Sequence, residues 1–380
     1  MHGSALSAFS YGDLVIYLMD MMWYFCKSLG MLCQYQEMSR EHRCQNGPQG
    51  PEENMDLTNT NSEYKKLEIE DSFFEEEERC GYVVSAKMKR VWAVELDLLY
   101  QLDQVCKKYG IQYYGSAGTI LGAERHKGMI PWDDDIDLMM MRDQYDLLCA
   151  HADEFKEPYF LQTFDTDEGY FRGHAQLRNS NTTGVLVEEI EKNVTFNQGI
   201  FIDIFPLDNV VRNRKLWKKQ MERIDKYREQ AKKLYRTTVG FDPENASRLR
   251  KTAHLFMPLV SKVYSWKDAY RKFEEECRRY NHLPTKYVAK ISYQPYGMKM
   301  YDLRSEFDDT VYLDFEMLKL PVPKGYKLHL KRQFGDYHKF VIGSSDHGKL
   351  VLDPDIPYKE WIRMYREDPE GTMQRNFLAE

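Results

Sequence analysis

Four aspartates within five positions, Asp133, Asp134, Asp135 and Asp137, constrain this chain more than any other stretch. They follow Pro131-Trp132, and Ile136, Leu138, Met139 and Met140 are interleaved with them or follow directly, so the segment runs into a core. In an extended strand, side chains two apart share a face. The spacing therefore predicts Asp133, Asp135 and Asp137 on one face, with Ile136 and Leu138 on the other. Three carboxylates on one edge repel each other unless a cation sits among them. Hard oxygen ligands of this type suit Mg²⁺, which commonly also takes oxygens from a substrate phosphate. A calcium loop of the EF-hand type does not fit, because Leu138 stands where the sharp turn needs Gly and Gln144 where the bidentate Glu belongs. The plain alternative is a solvated acidic turn.

The residues upstream add an anion-binding geometry. A strand over Ile111–Tyr114 leads into the turn Gly115-Ser116 and a helix over Thr119–Glu124. Strand, tight turn and helix together aim free backbone N–H groups at an anion. Arg125, His126 and Lys127 come next, and Arg125 or Lys127 is the candidate for neutralising phosphate oxygens; a basic surface loop is the alternative. Apolar residues at helical spacing predict a core-facing helix over Ala86–Tyr109, capped by Ser85 and ended by Gly110. A second helix is expected over Asp143–Phe155, with Tyr145, Leu147, Leu148 and Cys149 inward. Strands follow at His174–Arg178 and Gly199–Phe205. In the second of these both faces are apolar, so Asp203 sits where a carboxylate is costly unless it is paired or binds metal. Asp203 is thus a candidate third ligand or general base, against the alternative of a buried Asp satisfied by backbone N–H groups.

Composition narrows the function classes. A formal charge of −7 over 380 residues argues against a general nucleic-acid binder. Seven cysteines without a CxxC pair read as reduced thiols, not a zinc site. The apolar run Leu14–Leu32 is broken by Asp20 and Lys27 and is too short to span a bilayer, and Met1–Asp13 lacks the basic leader of a secretory signal. Arg40–Asn61 has linker chemistry. Residues 1–54 are therefore expected to be a poorly ordered extension, and 55–85 an acidic lead-in whose Phe73-Phe74 pair either docks or stays solvated.

Farther on, Arg212–Arg236 is a basic amphipathic helix striped by Trp217, Met221, Ile224 and Leu234. It suits an anionic membrane surface or a phosphate-bearing polymer, unless its charges are merely solvated. Ser265 and Asp268 form a capping-box pattern opening a helix with Tyr270, Phe273, Cys277 and Tyr280 buried, ending near Pro284. Strands are expected at Val288–Tyr293 and Val311–Leu320, then a helix over Lys327–Phe334 and a turn at Gly335–Tyr337.

Three stretches in this order carry a family resemblance. GTILGAERHKGMIPWDDDIDLMMMRDQYD resembles the signature of the LicD family, relatives of fukutin and fukutin-related protein in the nucleotidyltransferase-fold superfamily. NQGIFIDIFPLDNV (Asn197–Val210) is similar to the family's second motif and LPVPKGYKLHLKRQFGDYHKF (Leu320–Phe340) to its C-terminal one. The resemblance implies an α+β class and a nucleotidyltransferase-like fold, with a small mixed β-sheet flanked by helices, helical insertions and a C-terminal extension, in a catalytic domain over residues 86–370. It implies Mg²⁺, with Mn²⁺ as a substitute, held by Asp135, Asp137 and Asp203. Gly115, Ser116, Thr119, Arg125, Lys127, Asp133 and Arg178 would surround the substrate, with Arg178 gripping the nucleotide phosphate or pairing with a site acid.

Such enzymes move a phospho-alcohol, phosphocholine or ribitol phosphate, from a CDP-activated donor to a sugar hydroxyl of a glycan such as lipopolysaccharide or teichoic acid. The expected partners are a CDP-alcohol and a glycan acceptor. The expected place is the cytoplasm, with the basic helix over 212–236 touching the inner membrane face. Asp203 or Asp133 is available as base. Two rivals remain: a sugar-nucleotide glycosyltransferase, whose Asp-x-Asp also binds metal, and an inactive glycan-binding member of the family. Removing residues 1–54 is expected to leave soluble, active protein; insoluble or inactive protein on expression and assay contradicts that division.

Overall fold

The computed structural model describes residues 65–191, 194–239, 251, 254, 264–293, 301–342 and 350–378. All lie in the unit Glu63–Glu380. The expected extension 1–54, with its apolar run and linker, lies outside the described residues.

The architecture is α+β, with a nucleotidyltransferase-like fold built on a seven-stranded mixed sheet. Its strands are β3 (Tyr114–Gly115), β4 (Asp137–Met141), β5 (Tyr159–Gln162), β6 (Ala175–Asn179), β8 (Ile200–Val210), β9 (Tyr287–Ala289) and β10 (Asp302–Leu303). Three two-stranded ribbons surround it. They are β1 (Glu77–Arg79) with β2 (Tyr82–Val84), β7 (Thr183–Leu186) with β13 (Leu350–Asp353), and β11 (Thr310–Phe315) with β12 (Leu318–Pro323).

β8 is the axis of the sheet, and every one of its 11 residues is buried. It pairs antiparallel with β6 through residues 200–204 and with β9 through 208–210, and parallel with β4 through 203–207. A strand covered on both faces reads as a continuous apolar run, which is what IFIDIF presents.

Helix α1 (Ala86–Tyr109) begins at Ser85, whose side chain accepts from the Met88 N–H, and ends at Gly110 in the left-handed region (φ 65°). It packs Trp92, Leu98, Leu99 and Leu102 into the main core with Ile136 and with Leu138, Ile202 and Ile204 of the sheet. Phe73 joins that core from the lead-in, and the Lys89 ammonium lies 4.3 Å from its ring centre.

Several expected boundaries move. Strand β4 starts only at Asp137; a turn at Pro131-Trp132, closed by the Asp133 N–H donating to the Ile130 carbonyl, leads into the irregular stretch Asp133 to Ile136 ahead of it. The three aspartates therefore do not share one strand face. Trp132 and the aspartates follow a proline-initiated bend, which alternation cannot foresee. Helix α2 covers Ala117–His126, so Arg125 and His126 are helical and Lys127 is its left-handed C-cap. The expected helix over Asp143–Phe155 is α3 (Arg142–Ala150) followed by a 3-10 turn, and Leu147 faces solvent. The expected strand at Val311–Leu320 is the β11–β12 hairpin, turned at Glu316 (φ 50°).

The later helices cover the sheet. A short helix α4 (Val187–Glu191) follows β7, and α5 (Arg214–Thr237) is capped by Asn213. Trp217, Met221 and Ile224 of α5 meet Ala269, Tyr270 and Phe273 of α6 (Trp266–Cys277), which opens with the expected capping box. The apolar stripe of the basic helix is thus covered by α6, leaving Lys215, Lys218, Lys219 and Lys226 exposed. α6 stops at Cys277, short of Pro284, and Tyr280 is half-buried. Helix α7 covers Tyr326–Phe334, and α8 (Tyr358–Glu367) and α9 (Pro369–Leu378) close the chain. Cys80, Cys106, Cys149 and Cys277 are free thiols. Among the described residues no helix is long and apolar enough to cross a membrane.

A buried ion pair ties the layers together. Arg142, at the start of α3, bonds both oxygens of Asp208 on β8 (2.8 and 2.6 Å) and reaches Glu274 of α6 (2.9 Å). Asp208 is fully buried and also accepts from Asn281 (2.7 Å). Removing one partner leaves a buried charge uncompensated. Asp208→Ala is expected to destabilise the protein by about 3–5 kcal/mol in urea unfolding; a loss below about 1 kcal/mol, the range of exposed pairs, contradicts this role.

Candidate active site

The register of the parallel pair decides the site: Asp137 on β4 lies directly opposite Asp203 on β8. Opposed residues of a parallel pair project to the same side, on strands about 4.8 Å apart. Three backbone and side-chain bonds hold this junction. Ser116 donates its N–H to the Asp137 carbonyl (2.9 Å) and Asp203 its N–H to the Ile136 carbonyl (2.9 Å). The Asp137 N–H goes to the Thr119 hydroxyl (2.8 Å). Thr119 therefore positions the strand.

Around Asp203 the polar groups form a chain. Its Oδ1 accepts from Gln176 Nε2 (2.6 Å) and lies 3.1 Å from His174 Nε2. Burial pushes this carboxyl up, but the charge and hydrogen bond of His174 outweigh it and hold the group at about 2. Gln176 is in turn fixed by Arg178 (2.5 Å). Arg178 also donates to Gln162 and the Gly199 carbonyl (2.6 Å each) and is almost fully buried. Its guanidinium thus neither reaches a phosphate nor bonds a site acid; it aims Gln176 at Asp203, and burial, the largest influence, lowers its pKa to about 10.

The aspartates of the turn crowd together. Among the described residues, Asp133, Asp134 and Asp135 bring ligand oxygens within 4.8 Å of one another, and the set Asp135, Asp137 and Asp203 is not such a group. Trp92 Nε1 pins this turn by donating to the Asp133 carbonyl (3.1 Å). Burial first, then Asp135, Asp134 and Asp137, pushes the Asp133 carboxyl up to about 8. Glu95 of α1, buried beneath them, is pushed well above the carboxylate range by burial and the same acids, and its Oε2 has no partner. A carboxylate this crowded favours either a proton or a cation. The oxygen-only donor set therefore fits a hard divalent ion.

The basic residues beside the signature have other partners. Arg125 donates to the carbonyls of Tyr337 and Lys339 (3.1 Å each), fastening the C-terminal stretch to α2. Lys127 donates to the Glu124 carbonyl (3.1 Å) at its own helix end. Neither is directed at the acids, because α2 runs on to His126 and points both away from its N-terminus. The Gly115-Ser116 turn does lie at the acids. A Cβ at Gly118 would meet Asp133 Oδ2 at 2.9 Å, so the glycine lets that carboxylate lie close against α2. Ser116 is buried with its hydroxyl unpartnered.

Residues missed in the sequence complete the site. A cleft with about 400 Å³ of empty space, its open mouth included, is lined by Ser116, Lys290, Tyr301, Asp302, His329 and Arg332. Lys290 lies with its ammonium 3.9 Å from the Phe205 ring centre and within the field of Asp137, Asp302, Asp203 and Asp135. Burial lowers its pKa and those acids oppose the change. A lysine just past a short strand carries no local signal of such surroundings. His174 had one, being the first residue of the HAQLR stretch.

Comparisons with known proteins give similarities in sequence. Residues 110–241 match the family model described as LicD/FKTN/FKRP, nucleotidyltransferase domain. The chain is 29% identical over 258 residues to the lipopolysaccharide cholinephosphotransferase LicD of Haemophilus influenzae, covering 64% of this chain and 88% of that protein. An uncharacterized Rickettsia prowazekii protein is 45% identical over 71 residues, 18% of this chain and 23% of its own length. A similar 45% match over 49 residues joins an uncharacterized Rickettsia typhi protein, 12% of this chain and 16% of that one.

The crowding has a consequence for stability. Asp133 ionises near 8 in the fold against 3.8 unperturbed, so its contribution is present below the lower value and is lost as pH rises through the upper one. Without a cation, the melting temperature is expected to fall between about pH 4 and 8, and Asp133→Asn to flatten that fall. Mg²⁺ is expected to raise it more at pH 8 than at pH 5; equal shifts, or none, contradict a cation among these acids.

Proposed function

Starting from a chain that belongs to the LicD family, we propose a Mg²⁺-dependent phosphotransferase that moves a phospho-alcohol from a CDP-activated donor to a sugar hydroxyl of a surface glycan. The observation that carries this reading is the pairing of Asp137 with Asp203 beside the Ser116 turn. Phosphoryl transfer needs little covalent help from a protein; positioning and charge neutralisation do most of it. Asp133, Asp134 and Asp135, whose oxygens lie within 4.8 Å of one another, would hold the cation in place of the expected set Asp135, Asp137 and Asp203, with the Asp137–Asp203 pair beside it. Bound there, Mg²⁺ supplies neutralisation of the diphosphate charge.

The chain's own groups do the rest. The N-terminus of α2, entered through Gly115 and Ser116, offers backbone N–H groups to a phosphate oxygen. Ser116 contributes its unpartnered hydroxyl and Lys290 a positive charge at the neighbouring cleft. Gln176, backed by Arg178, and His174 keep Asp203 ionised and oriented. The Haemophilus relative, a lipopolysaccharide cholinephosphotransferase, makes phosphocholine the first phospho-alcohol to try and ribitol phosphate the second. Mn²⁺ is expected to substitute for Mg²⁺, both being hard oxygen-seeking ions.

A panel of CDP-alcohols assayed for CMP release tests the reading. CDP-choline or CDP-ribitol is expected to release CMP only when Mg²⁺ or Mn²⁺ is present. Asp135→Asn and Asp137→Asn are each expected to lower turnover about 100-fold or more, with circular dichroism unchanged. Release from UDP-sugars in place of CDP-alcohols would make the protein a glycosyltransferase, and glycan binding without any release would make it a binding module.

A further inference from the structure

The C-terminal motif contributes a histidine that the reading above does not use. His329 lies on α7 and is buried, with Nδ1 2.7 Å from Asp302 Oδ1. Asp302 also accepts from Arg332 (2.7 Å), and Arg332 forks onto both oxygens of Glu306 (3.0 and 2.6 Å). Burial pushes the Asp302 carboxyl up, yet the hydrogen bonds from His329 and Arg332 prevail and keep it below the usual range. A carboxylate beside Nδ1 holds the proton on that nitrogen and leaves the Nε2 lone pair as an acceptor. Nε2 is buried and has no partner. A buried polar atom left unpaired costs about 1–3 kcal/mol, a penalty that a substrate group would relieve.

The position of the ring gives this unpaired nitrogen a context. His329 lines the same cleft as Ser116 and Lys290, one adjoining the acids through its bond to Asp137 and the other through its surroundings. Asp203 is poorly placed for the same task, because its Oδ1 is already engaged by Gln176 and His174. We propose that His329, oriented by Asp302 and Arg332, is the general base that accepts the proton of the attacking hydroxyl through Nε2. In that step the hydroxyl oxygen forms a bond to the phosphorus bearing the alcohol. The bond from that phosphorus to the bridging oxygen breaks, its electron pair leaves on CMP, and the hydroxyl proton ends on Nε2. This assignment rests on the phosphotransferase reading.

The test uses the full chain with Mg²⁺, CDP-choline or CDP-ribitol as donor and methyl galactoside as the acceptor hydroxyl. His329→Ala and His329→Gln are expected to lose about 100- to 10,000-fold in kcat while the Kd for the CDP-alcohol stays within twofold. Added imidazole is expected to restore part of the His329→Ala activity and none of that of His329→Gln. Should the alanine variant not fold, the glutamine variant, which keeps a donor toward Asp302, carries the kcat and Kd comparison. Independently of turnover, ¹⁵N NMR at neutral pH is expected to show His329 as the Nδ1–H tautomer. Wild-type protein that releases no CMP from either donor overturns the phosphotransferase reading together with this one. An active wild type whose His329→Gln variant keeps its kcat, or loses CDP-alcohol binding instead, overturns the base assignment alone, as does an Nε2–H tautomer.

Discussion

The parallel pairing of β4 with β8 brings Asp137 opposite Asp203, and the rest of the site is arranged to make that adjacency tolerable. Two carboxylates on neighbouring strands repel, and three more lie in the turn just upstream. The fold answers with hydrogen-bond donors and cations drawn from distant stretches. His174 precedes β6 and Gln176 lies on it, Lys290 follows β9, and Arg178 holds Gln176 from behind. Even so, Asp133 and Glu95 are driven toward their protonated forms. Residual strain of that kind is what a divalent ion relieves.

The scaffold around this junction is stiff where the chemistry needs it. β8 is buried along its whole length and receives strands on both edges. Helix α1 braces the sheet with Trp92, whose indole also fastens the aspartate turn. Thr119 and Ser116 couple the start of α2 to the start of β4, so the helix end is tied directly to the strand that carries Asp137. The basic helix α5 is joined to this body by α6, and Arg142 links α3, β8 and α6 through Asp208 and Glu274.

The C-terminal motif has its own logic. α7 lies against α2, and Tyr326 bonds Glu124 (2.9 Å). Arg125, a residue of the signature, clasps the carbonyls of Tyr337 and Lys339. A basic residue next to an acidic motif thus serves assembly, bringing the His329–Asp302 pair to the cleft. The same holds for Arg178, whose three bonds go to neutral acceptors.

Local pattern determined much of this protein by itself. Helix α1 with its caps, the buried strand around Asp203, the capping box of α6 and the strand-turn-helix through Ser116 are all written in residue spacing. Each depends on neighbours a few positions apart or on one apolar period. The family resemblance supplied the fold class on the same basis. Only the tertiary structure decided which polar groups meet. Asp135 was expected on the strand with Asp137 and lies in the irregular stretch ahead of it, just after the bend that Pro131 and the Asp133–Ile130 bond make. Lys290 and His329 come to the acids from more than 80 positions away, through sheet order and helix docking. Alternation and helical period describe one segment's faces; they carry no information on which other segment is packed against them.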